Sequence, residues 1–176
     1  MLQIKDKQFE ILLSQTSIEA KIESLSTTLG NDYLGKRPLF LAILNGSFLF
    51  AAELFKHLKI EAEISFLRVQ SYSNTNSTGN VKQILGLIND IENRDIIVLE
   101  DIVDTGCTIK EIVDFLNEKR PKSIKIATLL FKPKALKVPI TPDYFCFEIE
   151  PDFVVGYGLD YDELGRNLAD IWVLKK

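Results

Sequence analysis

Ile96-Ile97-Val98-Leu99 is an unbroken aliphatic, mostly β-branched run that passes without a turn residue into Glu100-Asp101. Such a run reads as a central parallel strand covered on both faces, so the flanking chain must supply crossover helices. The periodicities agree. Ile18, Ile22, Leu25 and Leu29 recur at helical spacing after Thr16, which with Glu19 makes a capping box, and the helix should end near Gly30-Asn31. Leu39 to Leu44 reads as a strand, Asn45-Gly46 as a turn, and Ser47 to Leu58 as a helix. Ile60, Ala62, Ile64 and Phe66 alternate with polar residues, which predicts a strand with one wetter face. Ser71 to Asn80 is a polar loop, and Val81 to Ile88 returns as an antiparallel strand. Ile109, Ile112, Val113 and Leu116 give a helix before Pro121, Ile124 to Phe131 a strand, Lys132 to Asp143 a loop, and Tyr144 to Ile149 a last strand. Strands alternating with helices predict an α/β fold with a mainly parallel sheet, in a single domain over residues 1–176 without repeats.

Composition removes several chemistries. The longest uncharged stretch, Pro38 to Ala52, has 15 residues interrupted by Asn45-Gly46-Ser47, too short and polar for a membrane span. The start, Met1 to Lys7, lacks the pattern of a secretory signal, so the expected location is cytoplasmic. Cys107 and Cys146 are too few and too distant for a disulfide framework, and with His57 the one histidine, imidazole-based metal sites and Ser/His nucleophiles drop out. What remains is chemistry on carboxylates, Lys/Arg, hydroxyls and backbone amides. A net charge of −4 without basic runs argues against nucleic-acid or anionic-membrane partners.

In an open α/β sheet ligands sit beyond the carboxyl ends of the strands. There this chain reads Glu100-Asp101-Ile102-Val103-Asp104-Thr105-Gly106-Cys107-Thr108. Two carboxylates directly after a buried strand are costly unless they face a polar ligand or a metal. Thr105, Gly106 and Thr108 at a helix start offer hydroxyls and backbone N–H groups suited to a phosphate. The plain alternative is that Asp104 and Thr105 cap the helix while Glu100 and Asp101 are solvated. A phosphatase of the D-x-D type is set aside, because Asp101 and Asp104 are three residues apart.

Val98 to Thr108, VLEDIVDTGCT, resembles the phosphoribosyl-diphosphate motif of type I phosphoribosyltransferases, in detail that of the hypoxanthine-guanine enzymes. Further matching segments are LNGS (44–47), RVQSY and STG (68–79), LLFKP (129–133) and PDFVVGYGLDYDE with Arg166 and Leu168 (151–168). The resemblance implies a parallel twisted sheet flanked by helices, with a small hood and a flexible loop. It implies purine salvage: Mg²⁺-dependent transfer of 5-phosphoribosyl from phosphoribosyl diphosphate to hypoxanthine or guanine, releasing pyrophosphate.

By position, Glu100 and Asp101 take the ribose hydroxyls, Thr105, Gly106, Cys107 and Thr108 the 5-phosphate, and Asp104 the purine N7 as general base or acid. Asn45, Gly46, Ser71, Tyr72 and Arg166 fall to pyrophosphate; Lys132, Phe153, Val154 and Asp160 to the purine; Asp160, Glu100 and Asp101 to the metal. Lys132, donating to the exocyclic O6, selects against adenine. Relatives often have lysine where this chain has Asn45, and often a cis peptide before that residue. The segment from Ser71 is expected to fold over the site and exclude water. Setting aside Glu100, Asp101, Asp104, Asp160, Lys132 and Arg166 halves the net charge from −4 to −2, so half the excess acidity would face a polyanion, which calls for a divalent cation. Alternatives of other kinds are a fold-sharing RNA- or DNA-binding regulator and a xanthine-preferring enzyme. The family also implies a homodimer or homotetramer.

Overall fold

The computed structural model describes residues 1–72 and 81–175, with side chains described throughout except at 70–72 and 81–84. A hairpin of β1 (Leu2–Ile4) and β2 (Lys7–Leu13) leads into α1 (Gln15–Asp32). Then come β3 (Leu39–Leu44), α2 (Phe48–His57), β4 (Glu63–Tyr72), β5 (Val81–Leu85), β6 (Asp95–Val103) and α3 (Cys107–Asn117). β7 (Ser123–Phe131), a single 3₁₀ turn, β8 (Tyr144–Glu148), β9 (Val154–Val155) and β10 (Ile171–Leu174) complete the chain. The main sheet runs β5-β4-β3-β6-β7-β8, with β5 antiparallel to β4 and every other pair parallel. β6 sits inside it and its aliphatic run is fully buried, as expected.

Alternation along the parallel strands divides the core in two. Phe40, Ala42, Ile97 and Leu99 face α1, α2 and the hood; Leu39, Leu41, Ile96 and Val98 face α3. α1 buries Ile18, Ile22, Leu25 and Leu29 along one stripe. Its cap differs from the capping box read from Thr16 and Glu19. Ser14 has the extended backbone of an N-cap and its side chain accepts from the Ser17 N–H, which places Thr16 inside the first turn. At the other end the helix continues through Gly30, where the backbone stays helical, to Asp32.

Two further differences bear on the site. β4 leaves Ile64 and Phe66 on its outer face, Phe66 44% exposed, so the apolar face of this strand is the wetter one. And β1, β2, β10 and β9 form a separate four-stranded antiparallel sheet, the hood. β9 and β10 pack one face of it, through Val154 and Ile171, on the main core; Phe9, Val155 and Trp172 form a smaller cluster of their own.

Candidate active site

β6 does not stop at Leu99. It continues through Val103 in register with β7, so Glu100 and Asp101 are strand residues whose side chains leave opposite faces. Glu100 lines a cavity of about 230 Å³ together with Val103, Asp104, Thr105, Gly106 and Thr108. Its Oε2 is buried and has no hydrogen-bond partner among the described residues, and burial, with the neighbouring Asp101 charge, lifts its pKa well above the ordinary value. Asp101 turns to the other side, against Gly46, where a Cβ would overlap its carboxylate. Burial raises Asp101 to about 6, opposed by the Ile102 N–H, which donates to Oδ1 at 2.8 Å, and by the Arg166 charge.

The groups expected to hold a phosphate follow at the start of α3. Gly106 occupies the N-cap with a left-handed φ of 79°, so the capping position itself carries no side chain. Thr105 Oγ1 accepts from the Cys107 N–H at a long 3.4 Å. Of the two caps that the plain alternative offered, Thr105 thus gives the first turn one long hydrogen bond, while Asp104 pairs with Lys132. The first turn forms a positive helix end beside this cavity, which Gly106 and Thr108 line. A Cβ on Gly106 would meet Leu136, Val138 and Ile140, and the Lys137 N–H donates to Thr105 O at 2.9 Å. This apolar buttress behind the loop was missed in the sequence, where 132–143 read only as a connection.

Lys132 follows β7, as expected, and its N–H donates to Val103 O at 2.9 Å, tying it to the end of β6. The side chain is 5% exposed, and Nζ donates to Asp104 Oδ2 at 2.7 Å. The two residues assigned to the purine's O6 and N7 thus meet as an ion pair.

The second corner is built from backbone. Leu44–Asn45 is a cis peptide, as the resemblance implied. Gly46 is pressed between Asp101 and Gly158, whose missing Cβ would strike Gly46 O. Arg166 Nη1 donates to Gly158 O at 2.9 Å, and Nη2 reaches Asp160 Oδ1 at 2.7 Å, while Nε is buried without a partner among the described residues. Asp160 Oδ2 also accepts from the Glu163 N–H. Asp162, two residues further on, is largely exposed and pairs with Lys5. Among the described residues no three carboxylate, Cys or His side chains converge as a ready-made metal site.

Val154 is buried in β9, and Phe153 just before it is 41% exposed. Thr108 and Cys107 lie at the α3 start, and Cys146 is a buried thiol elsewhere. His57 sits beside Glu53 at 3.0 Å, away from these groups, as a structural residue would. The backbone of Ser71 and Tyr72 ends β4, paired with Lys82 and Val81, but their side chains and residues 73–80 lie outside the described residues.

The phosphoribosyl transferase domain model matches residues 8–162. The hypoxanthine-guanine phosphoribosyltransferase of Streptococcus mutans is 44% identical over 168 residues, 95% of this chain and 93% of the relative. A hypoxanthine phosphoribosyltransferase structure from Staphylococcus aureus, 39% identical, superposes with a TM-score of 0.86 over 97% of this chain and 92% of that one. One from Bacillus anthracis, a hypoxanthine-guanine phosphoribosyltransferase 34% identical, gives 0.85 over 97% and 99%. With these matches spanning nearly the whole chain, and with the carboxylate pair, glycine-led helix start and glycine corner in place, the protein belongs to the phosphoribosyl transferase family, in its hypoxanthine-guanine branch.

Proposed function

We propose that residues 1–176 work as one phosphoribosyltransferase domain that moves a 5-phosphoribosyl group from phosphoribosyl diphosphate to hypoxanthine or guanine, in purine salvage. The observation that supports this most directly is the Lys132–Asp104 pair at 2.7 Å beside the cavity lined by Glu100, Thr105, Gly106 and Thr108. It joins a donor for a 6-oxo group to a carboxylate for a ring-nitrogen proton, at the edge of a phosphate cradle. The bond from the ribosyl carbon to pyrophosphate breaks as the lone pair of one imidazole nitrogen of the purine forms the new one, and Asp104 receives the proton carried by the other, N7. Glu100 and Asp101 would hold the ribose hydroxyls and stabilise the partly cationic sugar ring. The α3 N–H groups, with Thr105, Gly106, Cys107 and Thr108, would take the 5-phosphate. Asn45, Gly46 and Arg166, with Ser71 and Tyr72, would take pyrophosphate, and the base would lie on Phe153 beside Val154.

Mg²⁺ fits this donor set. Hard carboxylate oxygens are present, one of them the unpartnered Glu100 Oε2, and few enough converge that an ion would keep substrate oxygens and water as its other ligands. Asp160, with Glu100 and Asp101, would hold it, and it would neutralise charge on the leaving pyrophosphate. We place the reaction in the cytoplasm, a compartment that suits two free thiols, and take the active form to be a homodimer or homotetramer.

The test is pyrophosphate release from phosphoribosyl diphosphate and Mg²⁺ with hypoxanthine, guanine, xanthine, adenine and uracil in turn. Release with hypoxanthine or guanine and little with adenine is expected; none with either 6-oxopurine overturns the proposal. Asp104→Asn should lower kcat by about 10²-fold or more with donor affinity little changed.

A further inference from the structure

The turn between β1 and β2 meets the 157–168 segment through three successive residues. Lys5 pairs with Asp162, and the Tyr161 hydroxyl donates to Asp6 Oδ1 at 2.8 Å. The Lys7 ammonium lies over two rings, 4.4 Å from the Tyr161 centroid and 5.2 Å from that of Phe153. Among the described residues no carboxylate pairs with Lys7. The adjacent Asp6 carboxylate feels the Lys7 charge but accepts its hydrogen bond from Tyr161, and the half-buried ammonium rests on the π faces beneath it.

The same ring of Phe153 is held on its other sides by aromatic neighbours. Tyr161 meets it nearly perpendicular, at 82° and 5.8 Å, and the fully buried Phe9 is tilted at 45° and 6.4 Å. These contacts leave Phe153 41% exposed. An aromatic that is clamped and yet open is suited to receive a flat ligand, and a free Phe at a strand end would otherwise exchange between rotamers.

We infer that Lys7 is a positioning residue for the purine: its ammonium fixes the Phe153 ring and draws π density away from the base, so that a 6-oxopurine stacks more tightly. The inference rests on the reading of Phe153 as the stacking platform. It gives the hood hairpin a part in base affinity and none in phosphate binding, since the 5-phosphate loop belongs to β6 and α3 of the other sheet.

The experiment compares Lys7→Met, Lys7→Arg and Phe153→Leu with the parent enzyme, each checked for unchanged thermal unfolding. KM for hypoxanthine and phosphoribosyl diphosphate is measured together with calorimetric affinity for IMP and for ribose 5-phosphate. Lys7→Met should raise KM for hypoxanthine and weaken IMP about three- to fivefold, with kcat and ribose 5-phosphate affinity within twofold of the parent. Lys7→Arg, which keeps the cation over the rings, should restore most of the loss. If Lys7→Met leaves base and IMP affinity unchanged while Phe153→Leu lowers both, the inference fails and the stacking reading stands. If Phe153→Leu also changes nothing, the stacking reading itself fails. Equal loss of IMP and ribose 5-phosphate affinity, or no rescue by Lys7→Arg, would also overturn the inference. Should Lys7→Met lower the unfolding temperature, Lys7→Gln is measured in its place.

Discussion

Glu100 and Asp101 are adjacent in sequence yet serve different neighbours, and both are held with raised pKa values in the folded chain. A carboxyl whose folded pKa lies above its unfolded value binds its proton more readily when folded. Its ionisation therefore destabilises the fold above the folded pKa, and the penalty is relieved as pH falls through it. For Asp101 that window runs from about 6 down to its ordinary value of 3.8, with burial the main cause. Asp101→Asn keeps an acceptor for the Ile102 N–H and loses the charge. The ligand-free variant should melt roughly 2–6 °C above the parent at pH 7.5, and the gap should narrow as pH falls below about 6 and close only near the ordinary carboxylate value of 3.8. The same variant should bind phosphoribosyl diphosphate poorly, as expected where charge is kept for a ligand at the expense of the empty fold. Thermal unfolding across that pH range, beside donor titration, checks both halves; a constant gap would mean that the Asp101 charge is not the cause.

At the level of elements, two glycines make opposite forecasts. Gly30 lies within α1 with nothing near a built Cβ, so Gly30→Ala should stabilise by about 0.5–1 kcal/mol. Gly106 has a left-handed φ and the Leu136–Ile140 segment at its back, so Gly106→Ala should displace the loop and weaken ribose 5-phosphate at least about tenfold. Chemical denaturation and calorimetry separate the two. These cases also mark what the sequence made legible. The parallel strands and α3 were readable because apolar runs and 3.6-residue stripes are dense there. The phosphate loop was readable because its residues are contiguous. The hood was reached only through the family resemblance: β2 buries just Phe9 fully, β9 has two residues, and their pairing spans the length of the chain. The Lys132–Asp104 pair, 28 residues apart, and the Lys7 contact depend on strand neighbours that no local pattern encodes.

For the whole molecule, the candidate site lies where two sheets converge, phosphate functions on the main sheet and base-facing aromatics on the hood. Outside it, Ile64 and Phe66 of β4 and Leu85 of β5 present apolar side chains on one face of the sheet edge. That face suits a second copy of the chain. Phe66→Asp should shift sedimentation toward the 20.0 kDa monomer while helix content stays as in the parent; an unchanged sedimentation profile places the contact elsewhere. The seam at Gly46 has a different consequence. There the end of β3, Asp101 and Gly158 touch, and the two glycines differ in what they hold back. A methyl group at position 158 would strike the Gly46 carbonyl, so the backbone itself must shift to admit it. One at position 46 would meet the Asp101 carboxylate, so it is admitted only by turning that side chain out of its place, and a change at 46 would be read out through Asp101.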